Sequence, residues 1–170
     1  MLRTIVTYPA QNLAQPAEAV PAVDEEVQSL ISDMIDTMRA HRGVGLAAPQ
    51  VGINKQVIIV KGDSGEPIAI VNPRIIGASG GKVESVEGCL SIPGHLVKLT
   101  RYRNVRVQGL DRVGEPLLLE AEGLLAAALQ HEIDHLGGLL IVDRLPETRK
   151  TLFKVKFRTS QRPPRVWACA

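Results

Sequence analysis

The segment His131-Glu132-Ile133-Asp134-His135 sets two imidazoles four residues apart, with a carboxylate beside the first. On a helix that spacing puts both rings on one face, where they can share a metal ion while the glutamate handles protons. Two inward imidazoles without partners are costly to bury, and a shared cation satisfies both. The bland alternative is a pair of hydrogen-bonded core histidines. Two nitrogens make half a hydrolytic site, which needs a third protein ligand and one open position. A third histidine six residues further on would extend the motif, but Ile141 stands there. Asp143 and Glu147 are downstream candidates for an acidic third ligand. Upstream, Glu87-Gly88-Cys89-Leu90-Ser91 offers a thiolate that would complete a Cys/His/His set. A lone cysteine is more ordinarily a small buried apolar residue. The run Gly43-Val44-Gly45-Leu46-Ala47-Ala48-Pro49-Gln50 is glycine-rich but is no phosphate loop. It lacks the Gly-Lys-Ser/Thr ending and follows a helix instead of opening one.

These residues need elements to hold them. Val27, Leu30, Ile31, Met34, Ile35 and Met38 recur at three and four, predicting an N-terminal helix capped by Asp24 and stopped at Gly43. Residues 122–136 are rich in Leu and Ala and close at Gly137-Gly138, so the histidine motif falls inside a second helix. Leu124, Ala128, His131 and His135 share one stripe of it, expected to face inward. Short strands are read at 4–8, 56–60, 67–71, 97–99, 105–110, 116–120 and 139–142, with a turn at 111–114. Phe153, Val155 and Phe157 alternate as in a strand, yet the two phenylalanines also suit a helix. The order predicts an α+β fold: antiparallel sheets packed around a central metal-binding helix, with an N-terminal helix.

With 170 residues the chain suits one domain. No stretch approaches the roughly 18 uninterrupted apolar residues of a membrane span. The first ten residues are too short and polar for a signal peptide, so a cytoplasmic location is expected. Net charge is +2, unevenly spread: residues 149–170 hold seven basic and no acidic side chains, leaving 13 basic and 18 acidic elsewhere. Such a tail suits a polyanion such as RNA, or is simply solvated. Cys169 has no polar constellation and is read as a free thiol; His41 and His95 are read as surface or loop residues.

Taken together, the three segments resemble the peptide deformylase family, whose pattern runs G-x-G-x-A-A-x-Q, E-G-C-L-S and Q-H-E-x-D-H. Here they read GVGLAAPQ at 43–50, EGCLS at 87–91 and QHEIDH at 130–135. The resemblance implies a metal-dependent hydrolase that removes the formyl group from N-formylmethionyl nascent polypeptides, releasing formate. It implies Cys89, His131 and His135 as metal ligands and Glu132 as catalytic acid/base. The Gln50 amide and the Leu90 N–H would face the oxyanion. Val44, Gly45 and Glu87 would meet the substrate, and Val44, Leu124, Ala127 and Ala128 would form the apolar methionine pocket. Residues 1–148 are then the catalytic domain and 149–170 a basic C-terminal tail, unlike the long charge-rich helix that ends some members. Fe²⁺ is the implied native metal, with Zn²⁺, Ni²⁺ or Co²⁺ as replacements. Implied partners are formylmethionyl peptides on ribosome-associated nascent chains, with no membrane and no nucleic-acid sequence recognition. Rival readings are a thermolysin-like metallopeptidase using Asp143 or Glu147, and an RNA-binding module with a structural metal.

Overall fold

Val57-Ile58-Ile59-Val60 is apolar on both pleat faces, so it needs a partner layer on each side. The computed structural model, which describes residues 1–160, supplies both. Helix α1, Glu25–Ala40, covers one face: Val27, Leu30, Ile31, Met34 and Met38 pack with Val57 and Ile59. The Asp24 carboxylate caps α1 by accepting from the Val27 N–H at 2.9 Å. Helix α2, Gly123–Leu136, covers the other: Leu125, Ala126, Ala128 and Leu129 pack with Ile58 and Val60. Helix α1 follows the predicted stripe, and α2 follows it at Ala128, His131 and His135 but not at Leu124, which is exposed.

The strands are β1 (Gly45–Ala47), β2 (Val57–Lys61), β3 (Pro67–Cys89), β4 (Ile92–Leu110) and β5 (Pro116–Glu122). They form one antiparallel sheet in sequence order. The expected short strands at 67–71, 97–99 and 105–110 are pieces of two long ones. Asn72, Gly80 and Gly81 read as breaks, but they are absorbed at register shifts, where positive φ lets β3 bend without leaving its partner.

Three other expectations give way. Residues 4–8 form no strand: the Val6 N–H donates to the Gln50 carbonyl at 2.7 Å and the Tyr8 N–H to the Ser91 carbonyl at 2.8 Å. That extended segment is tied singly to two loops instead of laddered to a sheet. Residues 139–142 lead into a 3-10 turn, Ile141–Arg144, because the Asp143 carboxylate accepts the Leu140 N–H at 3.0 Å. The tail ambiguity resolves as helix α3, Glu147–Ser160, with Phe153 and Phe157 stacked one turn apart against Tyr8 and His95. It thus runs across the expected boundary at 148. Pro163, Pro164 and Cys169 lie outside the described residues. No described helix is long and apolar enough to cross a membrane.

Where α2 ends, Gly138 has φ +73° and a Cβ there would lie 2.7 Å from the Ala14 carbonyl. Gly138→Ala is expected to destabilise the fold by about 1–3 kcal/mol, read from the shift in urea midpoint of the metal-free chain.

Candidate active site

The chain makes a two-residue turn at Leu90-Ser91, with Cys89 paired to Ile92 across it. The turn presents the Cys89 thiol to the ligand face of α2. One ligand atom each from Cys89, His131 and His135 lies within 4.8 Å of the others. His135 Nε2 is 3.3 Å from Cys89 Sγ. A thiolate with two imidazoles suits a borderline divalent ion of the iron-to-zinc series. The downstream acids are elsewhere. Asp143 is engaged with the Leu140 N–H and Lys150, and Glu147 is exposed.

Behind the triad is a buried charge network. The Glu87 carboxylate takes a bidentate grip from Arg101, both bonds 2.8 Å, and lies 2.9 Å from His131 Nδ1. Burial opposes ionisation of Glu87, but its bonds to Arg101 and His131 win and hold its pKa at about 2. A carboxylate can only accept, so His131 Nδ1 donates to it and Nε2 is the nitrogen that could offer a lone pair to a cation. Glu87, expected to meet substrate, thus lies at the cleft wall with both oxygens committed. Arg101 also donates to Asp134 on α2 at 2.6 Å, and Asp134 in turn holds Arg144. Next to it, the Gln130 side chain bonds both backbone polar groups of Tyr102, at 2.9 and 3.0 Å.

Gln50 is buried with its amide orientation locked. Its Oε1 accepts the Ala47 N–H at 2.8 Å, while Nε2 donates to Ser91 Oγ at 3.2 Å and Cys89 Sγ at 3.5 Å. Glu132 comes so close to β1 that a Cβ on Gly45 would lie 2.3 Å from its Oε1. Only glycine fits there. The other Glu132 oxygen, Oε2, is buried without a hydrogen-bond partner among the described residues, and burial pushes the carboxyl up to about 7. A group poised there can accept or return a proton near neutrality.

A cleft of about 670 Å³ gathers Val44, Gly45, Gln50, Glu87, Cys89, Leu90, Leu124, Ala127, Ala128, His131 and Glu132 on its walls. His135 lies behind them, 1% exposed. Ala128 is buried as expected, but Leu124 is 71% exposed, because it stands in the first turn of α2 at the mouth. Sequence reasoning missed the opposite wall. Val86 and Leu96 are exposed apolar side chains there, and His95, read as a bystander, lines it too. Arg101 was also missed, although it continues the inward alternation of Val97 and Leu99 in β4.

The polypeptide deformylase family model matches residues 2–151. A peptide deformylase of Thermodesulfovibrio yellowstonii is 45% identical over 161 residues, covering 92% of this chain and 97% of its own. One from Neisseria meningitidis is 40% identical over 163 residues, covering 95% and 97%. A solved peptide deformylase of Ehrlichia chaffeensis in complex with actinonin is similar at TM-score 0.89 and 36% identity, covering 95% of this chain and 99% of that one. One from Legionella pneumophila gives TM-score 0.84 at 42% identity, covering 96% and 100%. The match runs through all three motifs and every wall of the cleft, and the chain belongs to the peptide deformylase family.

Proposed function

We propose that in this peptide deformylase Cys89, His131 and His135 hold a divalent ion, natively Fe²⁺, on α2 as the central helix of the fold. The observation that carries this is the convergence of one sulfur and two imidazoles within 4.8 Å beside a buried, unpartnered carboxylate oxygen. Such an ion, when bound, supplies Lewis acidity, acidifying a water and polarising a carbonyl. Zn²⁺, Ni²⁺ and Co²⁺ are alternatives, since affinity alone does not favour iron.

The chain's own groups do the rest. Glu132 takes a proton as water adds to the formyl carbon. It returns that proton to the peptide nitrogen as the C–N bond breaks, leaving formate and a free methionine N-terminus. The Leu90 N–H and the Gln50 amide face the formyl oxygen as charge develops on it, the amide turning there the N–H that otherwise makes the long 3.5 Å contact with Cys89 Sγ; losing one such donor typically costs ~2.7–4 kcal/mol of barrier. Val44 and Gly45 line the peptide backbone. Leu124, Ala127 and Ala128 form an apolar wall for the methionine side chain, with Leu124 covering the mouth. Every cleft residue precedes 148, so residues 1–148 are assigned the catalysis. The basic segment 149–170, which includes most of α3, is left for contact with the ribosome in the cytoplasm. It has no role in reading nucleic-acid sequence.

Glu132→Gln is expected to keep one metal per chain but lose at least about a thousandfold in kcat, followed by formate release from a formyl-methionyl peptide under anaerobic conditions. Near wild-type turnover by the metallated variant would remove Glu132 from its assigned role. Gly45→Ala should retain metal yet lose about a hundredfold or more, because the new methyl displaces the Glu132 carboxylate. Acetyl-methionyl peptides should be cleaved far more slowly than formyl ones; equal rates would refute an acyl subsite limited by size.

A further inference from the structure

Two of the proposed ligands ride on α2 and the third on β3, so their spacing depends on whatever holds helix and strand together. Arg101 on β4 touches both. Its Nε and Nη2 grip Glu87, two residues before Cys89, and its Nη1 grips Asp134, one residue before His135. The guanidinium is 5% exposed and is not among the residues lining the cleft. Glu87 hands the restraint directly to His131 Nδ1, and Arg144 closes the far end on Asp134.

We propose that Arg101, with Asp134, is a positioning residue that sets the distance from the Cys89 thiol to the two imidazoles. The inference rests on the metal reading above and adds to it the means by which the ligand triangle is kept to size. A guanidinium is suited to this because its planar fork bonds two carboxylates at once, in directions fixed by the plane. A lysine ammonium has the charge without the fork. Apolar packing of α2 brings the helix near the sheet, but methyl groups slide where a two-sided ionic bridge does not. The role also gives the motif's Asp134 a function: it faces away from the cation and anchors the helix that carries the histidines.

The test uses the full chain reconstituted with Co²⁺, comparing wild type, Arg101→Lys, Asp134→Asn and Gly138→Ala. Asp134→Asn preserves shape and leaves the Arg101–Glu87 bonds, so it guards against misfolding of the arginine variant. Gly138→Ala lies outside the network and controls for lost stability. Expected are a shifted visible Co²⁺ absorption band in both network variants and Co²⁺ transfer to EDTA roughly 10–100-fold faster than wild type. Turnover of the Co²⁺ forms should show a fall in kcat with KM changed less than about twofold. Gly138→Ala should show none of these spectral or release changes. If the network variants keep the wild-type band and release rate, as the glycine control does, the positioning role is overturned even where stability has dropped. If wild-type protein takes up no Co²⁺, the metal reading itself fails, and the positioning role falls with it.

Discussion

A thiol on a strand and two imidazoles on a helix can address one ion only while helix and strand keep a fixed separation. That requirement organises this molecule. The β1–β2 end of the sheet is covered by α2 on one side and α1 on the other, which brings the histidines near the Leu90-Ser91 turn. Apolar contact alone leaves freedom of a fraction of an ångström or more. Directional bonds remove it: Arg101 between Glu87 and Asp134, Gln130 on the Tyr102 backbone, and Gln50 between Ala47 and Ser91. Each is buried or partly buried, and in such surroundings a satisfied polar network rigidifies while an unsatisfied one is costly.

The same logic explains which residues are left unsatisfied. Among the described residues three buried side-chain polar atoms lack partners: Asn104 Oδ1, away from the site, and Glu132 Oε2 and His135 Nδ1, both in the motif on α2. Native interiors rarely tolerate such atoms without a reason. For Glu132 the proposed proton transfer supplies one: an oxygen already committed to a donor is a poor proton carrier. The glycine at 45 belongs to the same arrangement, since it admits the carboxylate to a space any other side chain would fill.

Much of this was legible from residue order. The 3.6 periodicity of α1 and α2 and the His/Glu/His spacing are local signals, and structure follows them where they were strong. The third ligand was open among Cys89, Asp143 and Glu147 until the family pattern was considered, because nothing local says which distant segment reaches the helix. Long-range pairing was harder. Glycines at 77, 80 and 81 and Pro73 look like strand ends, and only the partner strand shows that they are bulges and bends within one hairpin. Arg101 went unnoticed because the strands were read as 97–99 and 105–110, which left it in a connection where a charge is ordinarily solvated. Its parity with Val97 and Leu99 was the available clue. The error at 139–142 came from an apolar run too short to distinguish extended from 3-10 backbone.

The doubly buried strand β2 carries a further consequence. Val57, Ile58, Ile59 and Val60 are nearly interchangeable in shape, so in side-chain fit a slip of two residues is opposed only at the ends of the run, where Lys55 and Gln56 or Lys61 and Gly62 would enter buried positions. It would also carry β1 along by about 6.6 Å at ~3.3 Å per residue and take Gly45 away from the Glu132 side chain it now meets. A second safeguard is polar and sits at the strand's entrance. The Asn72 N–H donates to the Gln56 carbonyl, and the Asn72 side chain exchanges two 2.8 Å bonds with the Val20 backbone. An amide outside the cleft thereby indexes the sheet, and the placing of Gly45 against Glu132 inherits its accuracy from that peg.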